Sequence, residues 1–325
     1  MISVIIPVYN VASYIERCAK SLFQQTLQDM ELLFVDDCSQ DNSVNIIKDL
    51  LKSYPHRTMM TRFITMPSNS GQAAVRKQGI IESRGDYVIH CDGDDWVDED
   101  LYERMYNEAQ HSGADIVICD EMWEYNTNKS IYTENMISTD GKQILQNWYK
   151  KAIGMYCHNK LIKRELYTKY DIYPWDGLNM WEDNGLITRL FYHANNIVQV
   201  HGTYYHYNKA NTNSISAHYG DKQVEQMIGI AEHLTVFFKN KPDANDYEKT
   251  IMAFQFLAKL NLITTKWSKL KRYYTIFPKC EKIIPELDIN AFSQKGKIRF
   301  LFVKYHCAWL FVLLFKIGKA LDYKT

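Results

Sequence analysis

Three carboxylates fall within four residues at Asp92-Gly93-Asp94-Asp95, directly after the apolar run Tyr87-Val88-Ile89-His90. That run reads as a buried strand, so the acids crowd its carboxyl end. Carboxylates so close repel one another unless a cation joins them. Mg2+ or Mn2+ would do so, because both take hard oxygen ligands. Asp92 and Asp94 are two apart and would face one side of an extended chain. An isolated acidic triplet is more often a solvated turn, so the surrounding elements decide its meaning.

Strand and helix signals alternate through the first 125 residues or so. Ile2–Val8 reads as a strand. Ser13-Tyr14-Ile15-Glu16 has the spacing of a capping box, followed by Ile15, Cys18, Leu22 and Phe23 at helical intervals. Glu31–Val35 reads as a strand and Ile46–Leu51 as a helix. Arg62–Met66 and Tyr87–Cys91 read as strands around a helix over Gly71–Ser83. A helix over Leu101–His111 and a strand over Asp115–Cys119 follow. This order predicts an α/β fold with a mainly parallel sheet flanked by helices. Ligands bind such sheets outside the carboxyl ends of the strands. Pro7-Val8-Tyr9-Asn10, Asp36-Asp37-Cys38-Ser39 and Asp92-Gly93-Asp94-Asp95 sit at three such ends, and a common crevice explains why. After about Ser216 the alternation gives way to helical stripes, first through Val224, Met227, Ile228, Ala231, Leu234 and Phe238.

The 325 residues are 46% hydrophobic and 23% charged, an ordinary globular balance. The seven cysteines include no CxxC pair, which argues against a disulfide framework or a zinc site. No basic segment followed by a long apolar one precedes Ile2, so no secretory signal is expected. Net charge is zero, but residues 259–325 hold 12 Lys and 2 Arg against 2 Glu and 2 Asp, a net of +10.

The motifs together resemble those of inverting family 2 glycosyltransferases with the GT-A fold, of the bacterial cell-surface polysaccharide type. Val4-Ile5-Ile6-Pro7-Val8-Tyr9-Asn10 resembles the family's first strand. Val35-Asp36-Asp37-Cys38-Ser39-Gln40-Asp41 resembles its base-binding segment, with Cys38 where Gly is usual. Asn69-Ser70-Gly71 with Ala74, Arg76 and Gly79 resembles its NxG…AR…G stretch. Asp92-Gly93-Asp94-Asp95 resembles its metal motif and Trp181-Glu182-Asp183 its acidic motif. Cys157-His158-Asn159-Lys160-Leu161 resembles the segment before that, and Tyr204–Ser216 a closing strand and loop.

The resemblance implies a nucleotide-diphosphate sugar as donor, with uracil-like bases favoured. Pro7, Tyr9, Asp36, Asp37, Asn69, Arg76 and Asp92 would bind it, Asp37 accepting the base's ring N–H and Arg76 pairing with a phosphate. Asp94 would be the main ligand of Mg2+ or Mn2+, with Asp92 reaching the metal through water or touching the ribose. Asp95 would orient Asp94 or cap the next helix. Asp183 would take the proton of the acceptor hydroxyl, while Trp181 and Glu182 shape the acceptor site. Read without the resemblance, Asp183 is an N-cap of a helix over Asn184–Ala194. His206 is expected to be structural.

Three segments are expected: a catalytic domain over 1–216, a helical region over 217–297 and an amphipathic tail over 298–325. The tail's apolar run Cys307–Phe315 is too short to span a bilayer. Its basic and aromatic flanks suit a helix lying in an anionic membrane surface. That implies a cytoplasmic protein on the inner face of the cell membrane, acting on a saccharide or lipid-linked acceptor, with no nucleic acid partner. The alternative for the tail is a core or dimer helix. The rival functions are a sugar-phosphate nucleotidyltransferase and a non-catalytic subunit of a glycan-synthesising assembly. Pro7–Ala12 carries neither the Gly nor the Arg that the first rival would need.

Overall fold

The computed structural model describes residues 1–150, 153–211, 220–264, 266–289 and 294–314. The chain forms two compact units, Met1–Ile144 with Ile153–His218, and Leu145–Ala152 with Tyr219–Thr325. Leu145–Ala152, read above as part of the first domain, therefore groups with the second unit.

In the first unit, β1 (Ile2–Val8), β2 (Met30–Asp36), β3 (Thr61–Thr65) and β4 (Tyr87–His90) run parallel in the order β3-β2-β1-β4. Helices α1 (Ile15–Phe23), α2 (Ser43–Leu51) and α3 (Gln72–Glu82) connect them. Strands covered on both faces need continuous apolar runs, and all seven residues of β1 except Pro7 are buried. The stripe Ile15, Cys18, Leu22 and Phe23 is buried on α1 as its spacing predicts. The capping box does not form. Tyr14 is the N-cap and makes no side-chain cap bond; instead the amides of Tyr14 and Ile15 both donate to the Val11 carbonyl at 2.9 Å.

Beyond β4 the sheet becomes mixed. After β5 (Trp96–Val97) and α4 (Leu101–Ser112) come β6 (Ile116–Glu124), β7 (Lys129–Tyr132) and α5 (Gly141–Asn147). They are followed by β8 (Lys160–Lys163), α6 (Arg164–Tyr170), α7 (Glu182–His193) and β9 (Ile197–Asn208). β8 enters antiparallel between β4 and β6, β6 pairs parallel with β9, and β5 and β7 pair antiparallel with β9 and β6. The strand read over Asp115–Cys119 continues to Glu124, and its register with β9 shifts between Cys119 and Asp120, an irregularity that re-aims the later side chains.

The second unit contains α8 (Asp221–Lys239), α9 (Glu248–Leu260), α10 (Trp267–Thr275) and α11 (Gln294–Lys304). The apolar stripe of α8 is buried at Val224, Met227, Ile228, Ala231, Leu234 and Phe238. The C-terminal run is broken at His306, with φ of 55°, and helical again over 308–314. Phe300, Val303, Ala308, Phe311 and Val312 are buried, whereas Ile298, Leu301, Tyr305, Trp309, Leu313 and Leu314 are exposed. Residues 315–325 of the expected tail, with Lys316 and Lys319, lie outside the described residues. No described helix is long and apolar enough to cross a membrane.

Candidate active site

The acidic turn leaves β4 and closes on itself through the Asp95 amide, which donates to the Asp92 carbonyl at 3.0 Å. Gly93 is required here, because a Cβ would lie 2.9 Å from the Pro7 carbonyl oxygen at the end of β1. The three carboxylates then take different environments. Asp92 Oδ1 accepts from Arg76 at 2.7 Å. Asp94 Oδ2 accepts from the Asn211 amide at 2.7 Å, and among the described residues its Oδ1 accepts no hydrogen bond. Burial and the neighbouring Asp92 push the Asp94 carboxyl up from its usual range. Asp95 is fully buried and gives both oxygens to β9, accepting from the Tyr205 hydroxyl at 2.6 Å and the Asn208 amide at 2.8 Å. Burial, Asp94 and Asp92 raise its proton affinity strongly. It does not cap α4, whose N-cap is Asp100.

Arg76 ties this turn to the second acidic pair. Its guanidinium is 2% exposed and reaches Asp92 at 2.7 Å and Glu182 at 3.4 Å. Burial works against the charge, but Asp92 and Glu182 outweigh it. The residue expected to meet a phosphate is buried and paired with two acidic side chains, as a buried guanidinium requires. Among the described residues its Nη1 has no hydrogen-bond partner.

Glu182 and Asp183 open α7, with Trp181 as N-cap in a left-handed conformation at φ 67°. That conformation costs an L-residue about 1–2 kcal/mol, so the entry to α7 is held by its surroundings. Asp183 lies inside the first turn and is not the N-cap. Its Oδ1 accepts from the Asn184 amide at 2.7 Å and the Asn184 side chain at 2.9 Å; among the described residues its Oδ2 accepts no hydrogen bond. Burial and Asp183 push the Glu182 carboxyl up to about 8. Burial raises Asp183 as well, opposed by Arg76 and the Asn184 bonds.

Asp37 is 3% exposed. Its two oxygens accept the amides of Ser70 at 2.7 Å and Gly71 at 2.8 Å, so it fixes the loop before α3. Asp36 is the more exposed member and accepts the amide of Ser39, three residues on, at 3.0 Å. Cys38 stands in the left-handed region at φ 62°, which explains the preference for Gly there. Gly71 has φ of 85°, and a Cβ on it would lie 2.3 Å from the Asn179 side chain. Asn179 in turn accepts from the Ala73 amide at 2.9 Å, joining the start of α3 to the segment before α7. Tyr9 and Asn69 are exposed at the same sheet end.

His206 is clamped, with Nδ1 and Nε2 each 2.9 Å from a carboxylate, Glu124 and Asp98. Its ring stacks on Trp96, whose indole also carries the Arg17 guanidinium at 3.3 Å. Sequence reading missed Tyr205, Asn208, Asn211 and Asn179, whose polar side chains at a strand end or in a loop carry no pattern of their own. Residues 212–216 of the expected closing loop lie outside the described residues.

Among the described residues no three His, Cys, Asp or Glu side chains form a metal-holding group. Mg2+ commonly uses only one or two carboxylates, completed by waters and substrate phosphates. Asp94, with an oxygen to spare and a negative neighbour, fits that donor set together with Asp92.

A mixed sheet with an acidic turn at its carboxyl edge and a second acidic pair joined to it defines a glycosyltransferase of the GT-A type. Residues 3–171 match Glycosyl transferase family 2, and the chain belongs to that family. EpsH of Bacillus subtilis (strain 168), named a glycosyltransferase, is 27% identical over 273 residues, covering 82% of this chain and 77% of EpsH. The fold matches S. aureus TarS 1-349 in complex with UDP-GlcNAc at a TM-score of 0.68 and 17% identity, over 98% of this chain and 92% of that one. It also matches the mannosyltransferase PcManGT from Pyrobaculum calidifontis in complex with GDP-Man and Mn2+, at a TM-score of 0.53 and 16% identity, over 99% and 86% of the two chains.

Proposed function

We propose that this glycosyltransferase is metal-dependent and inverting. It moves a sugar from a UDP-sugar to a saccharide or lipid-linked saccharide acceptor in surface glycan synthesis. The observation that carries the reading is the pairing of Arg76 with both Asp92 and Glu182, which sets the acidic turn and the Asp183 motif on one framework. UDP-GlcNAc bound to TarS and Mn2+ bound to PcManGT support the donor class and the cation.

Asp94 and Asp92 would hold Mg2+ or Mn2+, which supplies Lewis-acid stabilisation of charge on a leaving diphosphate. Asp37 builds the base site by holding Ser70 and Gly71, next to Asn69, against the end of β2. Asp36, Tyr9 and Pro7 flank that site. Asp183 takes the acceptor hydroxyl's proton, and its raised proton affinity brings it closer to neutrality, where a general base works best. Glu182 and Trp181 line the acceptor side. Attack in line, with no covalent enzyme intermediate, inverts the anomeric centre. The exposed apolar residues between Ile298 and Leu314, flanked by Lys295, Lys297 and Lys304, form a peripheral contact with anionic lipid at the cytoplasmic face.

The test is a screen of nucleotide sugars for release of nucleotide diphosphate with and without Mn2+ or Mg2+. Release from a UDP-sugar that chelation abolishes is expected. Cation-independent release overturns the metal role. Pyrophosphate formation from a nucleoside triphosphate and a sugar phosphate selects the nucleotidyltransferase, and no turnover of any donor selects the non-catalytic subunit.

A further inference from the structure

The segment Cys157-His158-Asn159-Lys160 takes no part in the chemistry above, yet it is buried throughout. Buried polar side chains are costly unless satisfied, and satisfied networks rigidify what they touch. Glu121 accepts from Trp123 Nε1 at 2.7 Å and Asn159 Nδ2 at 2.8 Å. Asn159 Oδ1 accepts from Lys160 Nζ at 2.7 Å. His158 Nε2 lies 3.4 Å from Glu121 Oε1. Among the described residues that nitrogen has no hydrogen-bond partner; stacking holds the imidazole ring, which lies on Tyr205 at 4.5 Å between centroids and 23° between planes.

Tyr205 is fully buried, and the register of β6 with β9 pairs it with Glu121. Its hydroxyl does two things. It donates to Asp95 Oδ2 at 2.6 Å and accepts the Asp92 amide at 3.1 Å. Asp92 and Asp95 are the first and last residues of the acidic turn. One phenol thus clasps both ends of the turn, with Asp94 between them.

We infer that Tyr205, stacked on the buried His158 ring, is a positioning residue that fixes the Asp92–Asp95 turn for cation binding. The inference rests on the reading of Asp94 and Asp92 as cation ligands. Phenylalanine at 205 keeps the ring that stacks on His158. It leaves the Asp92 amide and the Asp95 carboxyl group without their shared partner, so the turn loses its clasp while the core keeps its volume. Groups that orient metal ligands typically contribute about 10–100-fold to metal affinity.

The experiment measures Mn2+ binding by electron paramagnetic resonance, in the presence of UDP, for the full chain and for Tyr205→Phe, Asp95→Asn and their combination. Tyr205→Phe is expected to weaken Mn2+ binding by about 10–100-fold while the protein stays folded, with a midpoint lowered only as the loss of one buried hydrogen-bond partner requires. Asp95→Asn leaves one carboxamide oxygen for two donors, the Tyr205 hydroxyl and the Asn208 amide, and should weaken binding comparably. The double variant should lose no more than the worse single one, because both break one clasp. If Tyr205→Phe does not fold, Asp95→Asn alone reads the outcome. Asp94→Asn, which should abolish binding, separates the two levels. Parental Mn2+ affinity in Asp94→Asn removes the ligand reading itself. Loss in Asp94→Asn with parental affinity in the Tyr205→Phe and Asp95→Asn variants overturns the positioning role alone.

Discussion

Arg76 and Asp92 are joined by a 2.7 Å ion pair whose cationic partner is 2% exposed and reaches Glu182 from the same guanidinium. Removing one partner of a buried pair leaves uncompensated charge, at a cost of about 3–5 kcal/mol. Arg76→Met should therefore lose stability of that order. Arg76→Lys should recover part of it, because one ammonium cannot fork between two carboxylates. Urea denaturation followed by circular dichroism measures both. A loss below about 1 kcal/mol, the range of a surface pair, would show that Arg76 bridges nothing essential.

The acidic pair predicts a pH dependence of stability. Glu182 has a folded proton affinity raised from 4.5 to about 8 by burial and Asp183. Between those values the folded state holds the proton that the unfolded state has lost, so stability falls as pH rises across the window. Glu182→Gln abolishes that contribution. Its stability relative to the parent should be higher at pH 8 than at pH 5. Denaturation curves at the two pH values check this, and parallel profiles for the two proteins would contradict it.

Asp37 holds two amides with its two carboxylate oxygens. Asp37→Asn replaces one acceptor with a donor facing an N–H, so the loop before α3 should loosen at a cost of about 1–3 kcal/mol. UDP affinity should fall along with stability. A drop in UDP affinity with unchanged stability would instead make Asp37 a direct reader of the base.

Trp309 is 49% exposed and Leu313 39%, so replacing both by Ser should leave the thermal midpoint nearly unchanged. Binding to anionic vesicles, measured by co-sedimentation, should drop and should weaken with salt for the parent. Binding that is indifferent to lipid charge or to these residues would assign the face to something other than lipid.

Much of this was legible in the sequence. The alternation of strand and helix signals up to β4 has local causes, namely apolar runs and helical spacing, and it located the three loops that meet at the sheet edge. What followed β4 was less legible. β8 is four residues long, and only its partners make it a strand. The pairing of β6 with β9 joins residues some 80 positions apart. At the site, residue types were readable but their commitments were not. Arg76 on an ordinary helix gave no sign that its guanidinium is buried between two acids. Asp37 gave no sign that a loop more than 30 residues on would take both its oxygens. Tyr205 was one tyrosine among 23, and only the fold brings its hydroxyl to the acidic turn.

The most direct test of the proposed chemistry is the transfer rate of Asp183→Asn, measured beside its donor affinity. The amide is nearly isosteric and cannot take a proton. A positioned base contributes about 10²–10⁴-fold, so turnover of the UDP-sugar should fall by that factor while donor affinity stays at the parental value. Near-parental turnover by Asp183→Asn would contradict the account and leave Asp183 as an acid that merely suits the first turn of α7.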